Sequence, residues 1–445
     1  MKNKSLILGI VFIIILIIIL GVIIGLYVNS KNSTNSTTVE ESGSRMGTPP
    51  DGNVGMAGGN NSNVSHTGAT EISSDTENSG ESYSSTTGSE NALLVTGGTS
   101  TITDATINKT GDSDGDTSDF YGTNAAVLVK KGTLNINGGT VTTNGSHANG
   151  VFAYGDGVIN INNTTIKTTS NNSGAIMVTG GGTLTATNVT AETDGNSSAP
   201  IRSDRGGGTL TVNGGTYTSN GVGSPAIYST ADITVNDATL ISTKSEGCIV
   251  EGKNSITLNN VKLTDTNTSL NGNSETYKNI FLYQSMSGDA DEGTASFTAT
   301  NSTITTNKGD TIFVTNTKAV INLTNNTFVN NDASGIFLII QAGKWGTSGS
   351  NGGDVTLNAN NQVIEGDIYA DSISTLIMKL TNGSKYTGTI NGENTAKSIT
   401  LSIDSSSTLT LTGDTYVTSF TDEDSTYSNI NFNGYKLYVN GTAIN

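Results

Sequence analysis

Nine stretches of the chain repeat one pattern of apolar and polar positions: GTLNINGGTV, GVININNTTI, GTLTATNVTA, GTLTVNGGTY, ADITVNDATL, NSITLNNVKL, ASFTATNSTI, AVINLTNNTF and DVTLNANNQVI. Aligned on Asn137, Asn162, Thr187, Asn213, Asn236, Asn259, Thr300, Thr324 and Asn360, they lie mostly 23 to 26 residues apart, with gaps of 41 before Thr300 and 36 before Asn360. Three positions earlier stand Leu134, Ile159, Leu184, Leu210, Ile233, Ile256, Phe297, Ile321 and Leu357. One position earlier stand Ile136, Ile161, Ala186, Val212, Val235, Leu258, Ala299, Leu323 and Ala359, all apolar, with Thr, Asn and Ser between. Alternation of period two marks a strand with one buried face. The phase changes after the reference Asn or Thr, so the chain bends there, and aligned amides can bond one another at the bend.

A further strand recurs in each repeat. Its expected inward column is Val127, Phe152, Ile176, Ile201, Ile227, Ile249, Phe281, Ile312 and Phe337. Its expected outward column is Leu128, Met177, Tyr228, Leu282, Phe313 and Leu338. Two or three short strands in about 24 residues make one coil of a parallel β-helix. The expected fold is all-β: a right-handed parallel β-helix of about eleven coils over residues 91–390, with terminal coils and a cap over 391–445.

Two segments break the pattern. Ser5 to Val28 carries no charge and is long enough for a bilayer core, and Lys2 and Lys4 precede it. It reads as a transmembrane anchor over residues 1–28, N-terminus inside, with the C-terminal domain extracellular at the cell membrane. Residues 29–90, rich in Ser, Thr, Asn and Gly, read as a flexible stalk.

Composition narrows the function. The net charge of −17 argues against nucleic acid as a partner. One cysteine excludes an internal disulfide framework, and two histidines exclude a His-rich metal site. No nucleophile triad, phosphate loop or cofactor motif is present.

The segments GDSDGDTSDFYGTNAAVLV, GVFAYGDG, IRSDRGGGTLTVNGG, GSPAIYSTADITV and LYQSMSGDADEG resemble those of adhesin-like surface β-helix proteins of anaerobic prokaryotes, within the pectin-lyase-like architecture. The resemblance spans roughly residues 91–445 and implies the fold and a surface location. It carries no catalytic residues.

Candidate chemistry gathers at one edge. Only three arginines occur, and two of them flank one aspartate in IRSDRGGG, Ile201 to Gly208. Carried through the bend, the repeat register places Lys131, Asp156, Arg202, Asp204, Arg205, Tyr228, Glu251 and Lys253 along one edge of the rod. Two readings stand: a polar groove for a sugar or uronate, where an arginine fork meets a carboxylate, or an internal pair that pins a Gly-rich bend. Two insertions leave the same edge, Ser285 to Thr294 and Gln341 to Asp354, the second with the only tryptophan, Trp345. That ring is either a sugar-stacking platform or a hydrophobic plug. Asp112, Asp114, Asp116 and Asp119 alternate as calcium ligands do, but the EF-hand glycine and glutamate positions hold Thr117 and Thr123, so calcium is an open cofactor and a solvated acidic turn the other reading. The expected function is a membrane-anchored, extracellular, adhesin-like protein that binds carbohydrate or another surface ligand along one edge. Alternatives are a polysaccharide lyase or glycoside hydrolase of pectin-lyase-like architecture, and a structural envelope component.

Overall fold

The computed structural model describes residues 64–271 and 274–445. They wind into a right-handed parallel β-solenoid of about 15 turns. Each coil has three faces. The first face runs in register through Leu93, Val127, Val151, Ile176, Ile201, Ile227, Cys248, Ile280, Ile312, Leu338 and Ile368. The second carries the strand halves before the reference positions, and the third the halves after them. Every pairing is parallel except that of Leu437–Val439 with Thr442–Ala443, which folds the C-terminus back on the last coil.

The apolar columns read from the repeat line the lumen: Leu134, Ile136, Ile159, Ile161, Leu210 and Val212 are all buried. The bend after the second face also has a physical cause. The residue after each reference position adopts positive φ, at Gly138 (71°), Asn163 (52°), Asn188 (52°), Gly214 (73°), Asp237 (56°), Asn260 (56°) and Asn301 (52°). Only Gly, Asn and Asp enter that region at low cost, hence the GG, NN and ND pairs of the repeat. Beside the bend the expected amide ladder forms: Asn162 donates to Asn137 at 3.1 Å, Asn236 to Asn213 at 2.9 Å and Asn259 to Asn236 at 2.9 Å.

Four expectations are corrected. The solenoid has about 15 turns rather than eleven, because coils without the GTL-type signature flank the nine clear ones. Strands at Gly68–Ile72, Thr76–Ser79 and Ser82–Ser85 already form a coil inside the segment read as stalk, with Ile72 and Tyr83 as its lumen anchors. The transmembrane helix is not supported: the segment so read, 1–28, lies outside the described residues, and among the described residues no helix is long and apolar enough to cross a membrane. On the first face the register is one residue off where both sides of the strand are buried. Val151, Cys248 and Ile280 face the lumen while Phe152, Ile249 and Phe281 face outward, and Leu282 and Leu338 are lumen residues.

The lumen is not wholly apolar. A column at the end of the third face runs Ser85, Lys109, Thr143, Thr168, Thr193, Ser219, Ser242, Asp265 and Thr306, all buried. Several of the hydroxyls satisfy the next corner: Thr168 donates to the Ser173 carbonyl at 2.5 Å and Ser219 to that of Ser224 at 2.5 Å. Asp265 replaces a hydroxyl by a carboxyl. Its Oδ1 accepts the Asn267 amide at 2.9 Å, and its Oδ2 has no partner among the described residues. Burial pushes its pKa up to about 9.

A folded-state pKa above the unfolded value means that the native chain holds the proton longer. The contribution of Asp265 to stability is therefore favourable at low pH and is lost as pH rises from about 4 towards about 9. Asp265→Asn keeps the acceptor and removes the charge. Thermal melts of the variant are expected to show a flatter pH dependence, with a gain of about 1–3 kcal/mol at the alkaline end. Parallel pH curves for variant and parent would contradict this account.

Candidate functional site

The outward column of the first face runs Leu94, Leu128, Phe152, Met177, Arg202, Tyr228, Ile249, Phe281, Phe313 and Ile339. A column this apolar has to be covered. The insertion at residues 110–125 covers the early coils. It contains the short helix α1, Asp116–Tyr121, whose Tyr121 packs with this part of the column and whose Phe120 is buried. Thr179 fastens it by donating to the Phe120 carbonyl at 2.7 Å. Over the later coils Trp345 packs against Tyr283, with ring centroids 5.8 Å apart. Trp345 is 1% exposed, so the tryptophan is a plug and presents no face to a sugar.

Between these two apolar caps lies a buried polar network, built where the column changes to Arg202 and Tyr228. Arg202, 5% exposed, donates to Asp204 Oδ2 at 2.9 Å and to the Ser197 carbonyl at 3.1 Å. Arg205 crosses the edge to Asp289 Oδ1 at 2.7 Å, 84 residues away in sequence, and its guanidinium lies 4.0 Å from the centre of the Phe120 ring. Asp289 Oδ2 accepts from Ser287 at 2.9 Å, and the Ser287 and Ser285 hydroxyls are 2.6 Å apart. Ser285 donates to Glu251, which also accepts from the Tyr228 hydroxyl and from Tyr283 at 2.8 Å. Burial raises the pKa of Glu251, against three hydroxyl donors that lower it. Five of the expected site residues, Arg202, Asp204, Arg205, Tyr228 and Glu251, thus share one network. It is an internal clasp that joins two insertions to the first face.

The other expected residues do not join it. Lys131 and Asp156 are register partners, both exposed at the edge. Lys253 pairs with Asp291 at 2.8 Å in solvent. The four aspartates of the acidic segment do not converge. Asp112 accepts the Ser146 amide at 2.8 Å, Asp114 is exposed, Asp116 opens α1, and buried Asp119 meets His147 Nδ1 at 2.9 Å. Among the described residues no three His, Cys, Asp or Glu side chains are placed to hold a metal ion.

The open site lies further down the same edge. The insertions at 285–293 and 346–352 stand as two walls of a trough of about 590 Å³, lined by Gln284, Met286, Glu292, Asn316, Lys318 and Asp354 among others. A second hollow of about 400 Å³ shares Ser350, Gly352 and Asp354 with it and reaches Lys397. The floor is one register row, Thr294, Lys318 and Asp354, on three successive coils, and the row continues to Thr375 beyond the lining. Thr375 orients Asp354 by donating to Oδ1 at 2.8 Å. Asn316 donates to the Gln284 carbonyl at 2.8 Å, and Asn351 holds the second wall through the Gly343 and Trp345 carbonyls, each at 2.9 Å. Reading the sequence found both walls as insertions from one edge and missed the floor. The signal for Lys318 and Asp354 was present as the register row two residues before the alternating strand, but insertions of unequal length hid it.

The class defined by this architecture is the parallel β-solenoid, consistent with the pectin-lyase-like architecture. No protein-family model, curated protein or solved structure matches the chain.

The clasp can be tested by its two arginines. Arg202→Met removes the countercharge of a buried carboxylate and is expected to cost about 3–5 kcal/mol in the melt. Arg205→Ala removes a partly exposed pair and a ring contact, for about 1–2 kcal/mol. Its main effect is expected in hydrogen exchange, as faster exchange confined to residues 285–293 and 116–122. Equal effects of the two variants on global stability would remove the distinction drawn between them.

Proposed function

We propose that the chain is a non-catalytic, adhesin-like binding scaffold that takes an extended saccharide in the trough between residues 285–293 and 346–352. The observation that carries this reading is the trough itself. It is concave and lined mostly by polar residues, and it runs along the rod axis over three coils, with the second hollow continuing it to Lys397. Three rows at sheet spacing extend over roughly 10 Å, the reach of about two linked sugar rings rather than of one. Its lining supplies both hydrogen-bond donors and acceptors: the Lys318 ammonium, the Asp354 and Glu292 carboxylates, and the Asn316 amide. The walls are pinned from below by the arginine clasp and the tryptophan plug, so the site is preformed and little ordering is needed on binding. The buried clasp serves this shape and turns its carboxyl groups away from the trough: Glu251 is 1% and Asp204 3% exposed.

The test is a glycan array probed with the purified chain, followed by titration of the best soluble oligosaccharide. Lys318→Ala and Asp354→Ala are each expected to weaken binding by about tenfold or more, the loss of one charge-assisted hydrogen bond. Asp156→Ala, on the same edge but upstream of the trough, is expected to leave it unchanged. Release of reducing ends or unsaturated products, abolished by Asp354→Ala, would replace this reading with that of a polysaccharide-acting enzyme.

A further inference from the structure

The second face has a property that neither the clasp nor the trough explains. Each of its strands points three residues outward. From Thr99 to Asn360 these form three columns across ten coils held in continuous register. The central column runs Thr101, Asn135, Asn160, Thr185, Thr211, Thr234, Thr257, Thr298, Asn322 and Asn358. The columns on either side are again Thr, Asn and Ser, interrupted only by Val158, Val320 and Asp232. In a chain of net charge −17, one charged side chain on so large an area is a strong partition. Charge resumes one row nearer the first face, at Lys131, Asp156, Lys318 and Asp354, and on the third face, where Lys167 pairs with Glu192 and Asp194.

We propose that this face docks flat onto an ordered, uncharged polysaccharide surface. The inference goes beyond the trough reading and does not depend on it. Ten coils at sheet spacing give a patch roughly 43 Å long and about 13 Å wide. The strands that form it pair only with one another across the patch, and the insertions at 285–293 and 346–352 leave from the corner that bounds it on the first-face side. Part of the array is tied together before any ligand arrives. Asn160 donates to Asn135 at 2.9 Å, Asn358 to Asn322 at 2.9 Å, and Asn322 to Thr298 at 3.3 Å. Each ladder bond uses one amide hydrogen and leaves the other amide hydrogen, and the neighbouring threonine hydroxyls, to face outward as donors and acceptors. Side chains already fixed lose little entropy on docking. A donor-and-acceptor array with a single repeat along the rod has use for a partner that is itself periodic and carries hydroxyls. The acidity of the remaining surface repels anionic polymers and is indifferent to neutral ones.

The experiment is co-sedimentation of the full chain with microcrystalline cellulose and with chitin, in low and high salt. Pelleting with at least one of them that persists in high salt is expected. The triple variant Thr211→Lys, Thr234→Lys, Thr257→Lys is expected to lower the bound fraction at least about tenfold, by burying unpaired charge against a neutral surface. Should the triple variant misfold by circular dichroism, Thr234→Lys alone is expected to lower it about threefold for the same reason. The corresponding Thr→Ser triple and Asp156→Ala, outside both this face and the trough, are expected to bind as the parent does. The proposal is overturned if neither solid pellets the chain, if the lysine variants pellet unchanged, or if Lys318→Ala abolishes pelleting. It is equally overturned if the chain binds neither solid but arrests ice growth, which would give the array a different periodic partner.

Discussion

The structure depends on the parallel backbone ladder that seats each coil on the next. A single coil of about 24 residues cannot bury its own apolar face, since its lumen is open above and below. Stacking closes it, and the same hydrogen bonds that hold strand to strand bring chemically equivalent residues to one sheet spacing. Every column in this molecule follows from that constraint: aliphatics inside, amides at the bend, hydroxyls on the second face. The positive-φ Gly, Asn and Asp residues matter for the same reason. They set where each coil turns, and so keep ten or more turns in phase.

Regular stacking fixes the shape of the rod and leaves little room for a site. Sites arise where insertions depart from the repeat, and an insertion must be anchored to hold a shape. Here two kinds of anchor are used side by side. The apolar outer column of the first face is capped by α1 and by Trp345, which supply burial without direction. Between them the Arg202–Asp204 pair and the chain from Arg205 through Asp289 to Glu251 supply direction at some cost in desolvation. The polar clasp sets the position of the 285–293 wall, and the apolar plug sets that of 346–352.

How much of this was legible in the sequence follows from the physics of each position. The second-face columns were legible because one side of that strand is wet and the alternation is clean, as at Leu134, Asn135 and Ile136. The first face was misread at Phe152, Ile249 and Phe281 because loops bury its outer side, and a strand buried on both sides loses its alternation. Arg202 and Asp204 could be paired from sequence because they sit two residues apart, and Tyr228 could be added from the register. Asp289 could not, since its approach to Arg205 depends on the path of a loop that obeys no repeat. For the same reason the fate of Trp345, platform or plug, was not decidable until its loop was placed.

Charge is partitioned along this rod in a way that stability does not require. A soluble solenoid needs charge somewhere on its surface, and an even spread would serve. Instead charged residues gather at the edge between the first and second faces and on the third face, while the second face carries Asp232 alone over ten coils. Stabilisation by threonine and asparagine ladders accounts for the residues present on that face. It does not account for the charges withheld, because charged side chains are tolerated on the outward positions of the third face, at Lys167, Glu192 and Lys262. The two faces share one backbone and one repeat, so the difference between them lies in what each one meets.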